Sequence, residues 1–336
     1  MTSNKTAISN DDNLQCGINE KAWAFALPSL YFTIFPPALL LNLIVAWICL
    51  HLHAKSTFMV YLKHLVAADL LMTLTFPFRG ASELPDATLG IHAFACRYSS
   101  VIFYLAMNMS VILMGLISLD RYLKIVRSGG SHFFQNLLFS NAVSVFFWMA
   151  LIGSNTLPIM ITSNQDPKNK TGEFCIAMKN ELGIMWHKGV VLVGKVIFWT
   201  VFVIIVFCYS CIAKTVLESY QRSRGNNDKR KRKAKLRVFL ILLVFVICYL
   251  PYHCIRIPYT KLQVQSNNSC SKLALKIVKD LTLWVSALNV CMDPLIYFFL
   301  CKAFRERFWE ICDLKRFFPS FGKKNNDACQ SSETTL

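Results

Sequence analysis

The sequence contains few charged residues for its length. Of its 336 residues, 16% are Asp, Glu, Lys or Arg, whereas an average soluble domain has about 25%. Several of its apolar runs are also longer than a helix in a soluble core requires. The composition therefore excludes an ordinary soluble domain. It predicts an all-α protein that lies in the lipid bilayer and crosses it several times.

Acidic residues are especially scarce, since 19 Asp and Glu residues stand against 36 Lys and Arg residues, a net charge of +17. Such an excess is common in proteins that bind nucleic acids. Here, however, the basic residues cluster in segments between the apolar runs, as expected for loops on the cytoplasmic side of a membrane. We therefore assign the charge to membrane topology and expect no nucleic-acid partner.

Sequence motifs of common enzymes are also absent. The chain has no His-Glu-x-x-His motif and no Gly-rich phosphate-binding loop, and its 13 cysteines are too scattered for a small disulfide scaffold. We expect neither an enzyme nor a cofactor, and no metal other than a candidate sodium ion that would act as an allosteric ligand.

One apolar run carries polar groups at both ends. It extends from Cys96 to Arg127, and it contains no Asp, Glu, Lys, Arg or His between Arg97 and Asp120. In a helix, Cys96 and Arg121 would lie roughly 38 Å apart, which exceeds the hydrocarbon core of about 30 Å. The run is therefore predicted to cross the membrane, with its polar ends on opposite sides.

Six other apolar runs have a similar length, which gives seven predicted spans. They cover residues 22–50, 57–78, 96–127, 136–162, 188–213, 236–257 and 278–301. An odd number of spans places the two termini on opposite sides. The basic run 222–237 and the basic tail then share a side with the loops after spans 1 and 3, so that side is predicted to be cytoplasmic.

This topology divides the chain into four parts. They are an extracellular tail (1–21), a transmembrane domain (22–301), an amphipathic interfacial helix (302–317) and a cytoplasmic tail (318–336). Three glycosylation sequons, at Asn4, Asn169 and Asn267, fall on the outside.

In the cytoplasmic parts, Cys312 is either a palmitoylation site or a free thiol, and the terminal Thr334-Thr335-Leu336 is either a ligand for a PDZ domain or an unstructured end. Pro36 and Pro37 are expected to bend or locally unwind span 1.

Two carboxylates are predicted at membrane depth. Asp69 lies in span 2 and Asp293 in span 7, and each costs about 2.5–3.5 kcal/mol at a helix centre. They either hold helices together or form a hydrated cation or proton site with polar residues of neighbouring spans, and we favour the second interpretation. The neighbouring polar residues are Asn42, Ser110 and Asn289.

Four cysteines and a set of cationic and aromatic residues are predicted at the outer surface. The cysteines are Cys16, Cys96, Cys175 and Cys270; we pair 96 with 175 and 16 with 270, although sequence alone leaves the connectivity open. The cationic and aromatic set is Lys179, His187, His253, Arg256, Tyr259 and Lys279. Arg256 lies in a largely apolar stretch, and its guanidinium matches phosphate or carboxylate oxygens. The set forms either an anion-binding pocket, which we favour, or solvated charges that flank the membrane.

One short marker occurs in each predicted span. The markers are Asn42, Asp69, Asp120-Arg121-Tyr122, Trp148, Tyr209, Cys248-x-x-Pro251 and Asn289-x-x-x-Asp293-Pro294-x-x-Tyr297. Taken alone, Asp120-Arg121-Tyr122 could be interfacial charges that reach water, but the ordered set resembles the rhodopsin-like G-protein-coupled receptors. The resemblance implies a seven-helix receptor whose switch comprises Asp120, Arg121, Tyr122, Tyr209, Pro251, Asp293, Pro294 and Tyr297.

Tyr249 and Asp293, which replace a tryptophan and an asparagine of the family, are in the style of the purinergic nucleotide receptors. The stretches 251–253 and 256–260 resemble the branch that includes the ADP and UDP-sugar receptors. In that branch a nucleotide is held by groups matching Tyr104, Lys179, His187, His253, Arg256, Tyr259, Gln263 and Lys279. The resemblance also supports both disulfides and implies coupling to an inhibitory G protein.

The sequence departs from this branch at the part of the pocket that holds the base. Asn108 stands where a tyrosine usually stacks on the base, Ile159 and Val191 stand where asparagines are common, and His92 replaces an arginine. We expect a plasma-membrane receptor for an extracellular anionic ligand, either a nucleotide or a nucleotide sugar. The alternatives are a lysophospholipid or orphan receptor on the same fold and, less favoured, an ion transporter or channel.

Overall fold

The computed structural model describes residues 20–52, 54, 56–127, 136–165, 174–222, 239–265, 269–300 and 302–311. Several predicted features lie outside these ranges: the three sequons, Cys16, Cys312, most of the basic run after span 5 and the C-terminal tripeptide. The side chain of Gln263 is also outside the described part.

The described secondary structure is helical throughout. The helices are Glu20–His51, Thr57–Glu83, Leu89–Phe94, Ser100–Val126, Leu137–Leu151, Leu157–Thr162, Phe174–Ala177, Glu181–Arg222, Phe239–Cys248, Leu250–Gln265, Ser269–Ala287, Asn289–Leu300 and Lys302–Ile311, with π-helical turns at Ala95–Ser99 and Ile152–Thr156.

Within the described ranges, seven helical stretches are long and apolar enough to cross a membrane, which confirms the predicted fold class. Spans 1 to 7 are Ala22–His51, Thr57–Glu83, Leu89–Val126, Leu137–Thr162, Glu181–Glu218, Phe239–Thr260 and Cys270–Phe299. Most are longer than predicted, because polar residues at their ends continue the helix beyond the apolar run. Span 5, predicted from residue 188, begins at Glu181 instead.

Prolines interrupt some spans but not others. Span 6 breaks at Tyr249, two residues before Pro251, since a proline has no N–H and clashes with the preceding turn. Span 7 breaks at Leu288, whereas its proline, Pro294, lies inside the helix Asn289–Leu300. In span 1, by contrast, Pro36 and Pro37 lie inside one continuous helix. Of the predicted bend or local unwinding, the unwinding therefore does not occur.

Span 3 is the central helix of the bundle. In its most apolar stretch 78% of the residues are buried by the other helices, compared with 17% for span 4, which mainly faces outwards. It packs closely against span 5 at Gly115, where an added Cβ would lie 2.9 Å from Cγ1 of Val201. The close packing of these two spans therefore depends on the absence of a side chain at residue 115.

A disulfide closes one end of the bundle. Cys96 in the π-turn of span 3 is bonded to Cys175 in the short helix Phe174–Ala177, with 5.2 Å between their Cα atoms. This confirms the predicted pair, and we call this end of the bundle the outer end. Cys270 is also disulfide-bonded, but its predicted partner lies outside the described residues.

Other cysteines of the bundle are free. Cys208 and Cys211 have the Cys-x-x-Cys spacing, yet both are free thiols in span 5. In the described part of the chain, no group of three or more His, Cys, Asp or Glu side chains could hold a metal ion. This spacing therefore has no metal-binding partner in the described bundle.

We predict that Gly115→Ala lowers the thermal stability of the purified receptor, because the new methyl group displaces Val201 or separates spans 3 and 5. Overpacking of this kind costs about 1–3 kcal/mol. The control is Gly189→Ala in span 5, where an added Cβ meets nothing within 4 Å. Equal melting temperatures for the two variants in a thiol-reactive fluorescence assay would contradict the prediction.

Candidate functional site

Arg256 is the central cation at the outer end of the bundle. Its guanidinium carbon lies 5.5 Å from the ring centroid of Tyr104 and 5.4 Å from that of Tyr252, so spans 3 and 6 both contact it. No carboxylate lies within 4.0 Å of it among the described residues. Cation–π contacts of this kind contribute about 0.5–2 kcal/mol. They hold the guanidinium in place without neutralising its charge.

Lys279 adds a second cation from span 7, but this one is already paired. Its ammonium group is 2.6 Å from a carboxylate oxygen of Asp280 and 4.9 Å from the ring centroid of Tyr259. Tyr104 interacts electrostatically with both Lys279 and Arg256. The predicted residues of spans 3, 6 and 7 are thus brought together around the Tyr104 ring, and we call this region the outer pocket.

Arg79 in span 2 is a third cation of the outer pocket, which the sequence analysis did not select. Its guanidinium lies 4.4 Å from the ring centroid of Phe103 and 5.5 Å from that of Tyr31, and it donates a hydrogen bond to Ser100 Oγ at 3.2 Å. It also interacts electrostatically with Tyr104. The signal in the sequence was an arginine directly after the apolar run 57–78, where we ended span 2 too early.

The second outer loop places Lys179 against the end of span 4. This lysine is 7% exposed, and its ammonium donates hydrogen bonds to Ser163 Oγ at 3.3 Å and to the carbonyl of Cys175 at 3.1 Å. Burial lowers the pKa of its ammonium group from the ordinary value. Arg97 also reaches this point, donating to the carbonyl of Ser163 at 2.6 Å. In this conformation Lys179 therefore anchors the loop to the end of span 4.

The two predicted histidines occupy different positions. His187 is half-buried and interacts electrostatically with Lys179 and Arg256, which places it beside the outer pocket. His253 is only 3% exposed, and its ring stacks on Phe198 with centroids 3.7 Å apart. Both ring nitrogens of His253 lack a hydrogen-bond partner among the described residues. His253 thus belongs to the aromatic packing between spans 5 and 6, directly below Arg256 on the same helix.

Lys195 of span 5, for which the sequence left open a role in the outer pocket or a partner within the bundle, contacts span 6. Its ammonium donates a hydrogen bond to Thr260 Oγ1 at 3.2 Å, and it interacts electrostatically with Arg256. It therefore adds positive charge to the side of the outer pocket that span 5 forms.

An interior polar cluster lies between the outer pocket and the inner end of the bundle. Its members are Asn42, Asp69, Ser110, Asn289 and Asp293, all 0% exposed. The Tyr297 hydroxyl donates to Asp69 Oδ2 at 3.1 Å, and the Asn289 amide donates to Asp293 Oδ2 at 3.4 Å. The Asn42 amide donates to the carbonyl of Val290 at 2.8 Å. These bonds connect spans 1, 2 and 7.

Several oxygens of the interior polar cluster have no hydrogen-bond donor in the described structure. They are Oδ1 of Asn42, Asp69, Asn289 and Asp293, together with Ser110 Oγ. Buried oxygens without a donor are unfavourable, and a set consisting only of oxygens is the type that hard cations prefer. The residues present therefore fit a sodium ion, which would supply the missing positive charge between the two carboxylates.

At the inner end, Asp120 is held by several neighbours. Its carboxylate lies 2.8 Å from Arg121 Nη2 and 3.3 Å from Lys124 Nζ, and it accepts a hydrogen bond from the Thr57 hydroxyl of span 2. Lys124 in turn donates to Thr57 Oγ1 at 3.0 Å. The structure pairs Asp120 with Arg121 and adds Thr57 and Lys124 as further partners. Of these two, only Lys124 was detectable in the sequence, from its spacing of four residues.

The remaining residues predicted to form the switch lie in the middle and inner parts of spans 3, 5, 6 and 7. The Tyr122 ring lies 5.8 Å from Phe207 of span 5, and the Tyr209 ring lies 5.5 Å from Phe239 of span 6. Pro251 is half-buried next to the break in span 6. Pro294 and Tyr297 are buried in span 7. These contacts connect the spans that enclose Arg121.

The chain was also compared with models of known protein families. Residues 41–297 match the model described as 7 transmembrane receptor (rhodopsin family). The chain belongs to the rhodopsin family of seven-transmembrane receptors. It is therefore a multi-pass membrane receptor and not an enzyme.

Several similar proteins within this family are purinoceptors. The receptor is 39% identical to purinoceptor 13 of Homo sapiens over 294 residues, which cover 87% of this chain and 83% of the relative. It is 41% identical to purinoceptor 14 of Bos taurus over 281 residues, 83% of each chain. It is 37% identical to G-protein coupled receptor 87 of Mus musculus over 317 residues, 94% of this chain and 87% of the relative.

The four departures from the branch lie on several sides of the receptor's outer half. Asn108 is half-buried on span 3, and its side chain lies 3.6 Å from the position of an added Cβ on Gly194 of span 5. Ile159 is buried and Val191 half-buried, while the His92 ring lies 5.6 Å from Phe174 of the second outer loop. Spans 4 and 5 therefore present apolar side chains where the branch has amides.

We predict that Thr57→Val increases agonist-independent activation of the G protein. Loss of a hydrogen bond to a charged group costs about 1.5–3 kcal/mol, so the conformation in which Asp120 is held by span 2 becomes less favourable. A several-fold increase in basal nucleotide exchange on purified G protein is expected.

The matched control is Thr75→Val. Thr75 is also buried in span 2, but its hydroxyl donates only to the carbonyl of Met72 in its own helix. Basal exchange that is unchanged in Thr57→Val, or that rises equally in both variants at equal expression, would contradict a specific role of the Thr57–Asp120 bond.

Proposed function

We propose that the receptor binds an extracellular anionic ligand, a nucleotide or a nucleotide sugar, and signals through an inhibitory G protein. The observation that carries the proposal is the pair of arginines, Arg79 and Arg256, which lie on aromatic rings without a carboxylate within 4.0 Å in the described structure. Both arginines are half-buried, and charges withdrawn from water usually have a partner. A phosphate-bearing ligand would provide that partner for both arginines.

The proposed orientation places the N-terminus outside the cell and the receptor in the plasma membrane. The disulfide of Cys96 and Cys175 supports it, since disulfides form in oxidising compartments. Basic residues are concentrated in the segment after span 5, as expected for a cytoplasmic loop, and this supports the same orientation. With this orientation the outer pocket faces the extracellular solution.

Ligand binding would act by a population shift. An anion between Arg256 of span 6 and Lys279 of span 7 draws the outer parts of these spans together, and it must compete with Asp280 for Lys279. The breaks at Tyr249 and Leu288 allow the inner parts to move relative to the outer ones. The ligand shifts the equilibrium only by its difference in affinity for the two conformations.

At the inner end, the same shift would separate Arg121 from Asp120. Arg121 lies on span 3 beside the contacts between spans 5 and 6. Once released, its guanidinium can interact with the G protein between spans 3, 5 and 6, with the basic segment after span 5 close by.

A lysophospholipid is the second candidate ligand. It shares the phosphate group, and its acyl chain would fill the apolar region near Ile159 and Val191, where the branch has amides. The two candidates are separated by testing ADP, UDP-glucose and lysophosphatidic acid for inhibition of cyclic AMP formation in cells that express the receptor. Activation by the lysophospholipid alone would favour the second candidate, and ligand-driven current without a G protein would contradict both.

For the agonist found in this assay, Arg256→Gln is expected to reduce potency by roughly 10- to 100-fold, which corresponds to the loss of one hydrogen-bonded charge pair. Lys279→Gln is expected to have a smaller effect, because Asp280 already compensates the charge of Lys279. The control is Lys188→Gln, which removes an exposed cation at the outer end of span 5. Unchanged agonist potency in Arg256→Gln at equal surface expression would contradict an anion-binding role.

We further propose that sodium binds the interior polar cluster and stabilises the conformation without agonist. Replacing sodium by choline at constant ionic strength is expected to raise agonist affinity and to lower the melting temperature of the ligand-free receptor. Asp69→Asn should abolish both effects, since it removes one of the two carboxylates. Asp86→Asn, in an exposed outer loop, should preserve them. Sodium effects that persist in Asp69→Asn would place the ion elsewhere.

A further inference from the structure

Two side-chain amides lie inward of the outer pocket, and none of the functions described above uses them. Asn108 of span 3 is four residues inward of Tyr104, about 6 Å along the helix. Asn155 lies in the π-helical turn of span 4, which packs against span 3. It shares one face of span 4 with Leu151 and Ile159, four residues to either side, and all three are buried.

The π-helical turn holds Asn155 with half of its amide unsatisfied. Its Oδ1 accepts a hydrogen bond from the Ser154 hydroxyl at 3.3 Å, whereas its Nδ2 has no acceptor among the described residues, and the residue is 8% exposed. A buried donor without an acceptor is unfavourable, and π-helical turns are frequent at functional sites. The indole of Trp186, next to His187, donates to the carbonyl of Ser154 at 2.9 Å. The turn therefore lies beside the outer pocket.

The Asn108 amide faces an open space between spans 3 and 5. Asn108 makes no hydrogen bond with the described residues, and its Oδ1 and Nδ2 lie 3.6 and 3.8 Å from the position of an added Cβ on Gly194. Gly194 is buried, yet apart from its two chain neighbours no other described side chain lies within 4 Å of that position. At Gly115, by contrast, Val201 fills the corresponding position. The two spans are therefore in contact at Gly115 and leave room at Gly194.

The chemistry of the two amides restricts what can occupy this space. An asparagine amide offers a donor and an acceptor side by side, and it pairs with the edge of a nucleobase through both. An acyl chain at this depth would leave the Asn155 donor without a partner, which is unfavourable. The amides therefore fit the neutral, hydrogen-bonding end of a ligand better than an apolar tail.

From these observations we infer that Asn108 and Asn155 form the subsite for the nucleobase of a nucleotide whose phosphates bind at Arg79 and Arg256. The inference rests on the proposed function, and it selects a nucleotide or nucleotide sugar over a lysophospholipid. The base enters the space opposite Gly194, about one turn inward of the positions at which spans 4 and 5 are apolar. The polar contacts of the base are thereby moved deeper into the bundle.

The test compares ligands that differ only in the base. The full-length receptor in nanodiscs is titrated with ADP, UDP and ribose 5-diphosphate, which keeps the sugar and phosphates of both nucleotides and lacks the base. Dissociation constants follow from the rise in melting temperature with ligand concentration. At least one nucleotide is expected to bind roughly tenfold more tightly than ribose 5-diphosphate, as expected for two additional hydrogen bonds. This comparison uses the unmodified receptor, so it does not depend on how any variant folds.

Variants locate the difference in the two amides. Asn108→Leu and Asn155→Leu are each expected to weaken binding of that nucleotide roughly 3- to 10-fold, the effect of one lost hydrogen bond, and to leave ribose 5-diphosphate unaffected. Gly194→Ala, whose methyl group makes only ordinary contact with Asn108, should weaken the nucleotide alone because it occupies the space. The control is Asn141→Leu, the same substitution at the inner end of span 4, which should change neither ligand.

The outcomes separate this inference from the proposed function. Equal affinities for ribose 5-diphosphate and both nucleotides, or unchanged nucleotide affinity in either Asn108→Leu or Asn155→Leu, would overturn the inference. The anion site would still stand if binding of ribose 5-diphosphate were lost in Arg256→Gln. Tighter binding of lysophosphatidic acid than of either nucleotide would also overturn the inference, and no binding of any of these ligands would overturn both proposals.

Discussion

The behaviour of this receptor depends on how charged groups are paired inside a bundle surrounded by lipid. A charge in such a medium is unfavourable unless another group interacts with it. Along the length of the bundle, the charged side chains have three different kinds of partner. Arg256 and Arg79 lie on aromatic rings at the outer end. Asp69 and Asp293 are bonded to Tyr297 and Asn289 in the middle, whereas the inner carboxylate has two cations beside it. The outer arginines and the interior carboxylates lack part of their partners among the described residues, and these are the places where we propose that a ligand and an ion bind.

Span 3 connects these three levels. Cys96 fixes its outer end to the second loop, Tyr104 interacts with the cations of the outer pocket, and Ser110 belongs to the interior polar cluster. At its inner end, Asp120 is bonded to Arg121, Lys124 and Thr57. Because span 3 is the most buried helix of the bundle, the surrounding spans can move against it while it keeps its position. It is therefore the reference against which spans 6 and 7 would shift.

The sequence predicted some residues of the outer pocket, missed one and assigned another to the wrong surroundings. Arg256, Lys279, Tyr259 and Tyr104 were selected from their charge, their spacing and the family resemblance, and the structure places them together. Arg79 was missed because the apolar run ended before it. The predicted set treats His253 like the other cationic groups, but the structure stacks it on Phe198. A spacing of three residues identifies a common helical face, but it does not distinguish a side chain that points into the pocket from one that packs against the next helix.

The sequence by itself determined that the chain crosses the membrane seven times, which ends of the spans carry charge, and that its markers are those of the rhodopsin family. These properties follow from local composition, because the apolar length of a span and the charge of a loop can be read from that segment alone. Only the tertiary structure decided that Asp280 compensates Lys279 while Arg256 has no carboxylate beside it among the described residues, that Thr57 holds Asp120, and that the Asn108 amide faces Gly194. Each of these depends on the distance between side chains brought together by packing, and a one-dimensional pattern does not contain such distances.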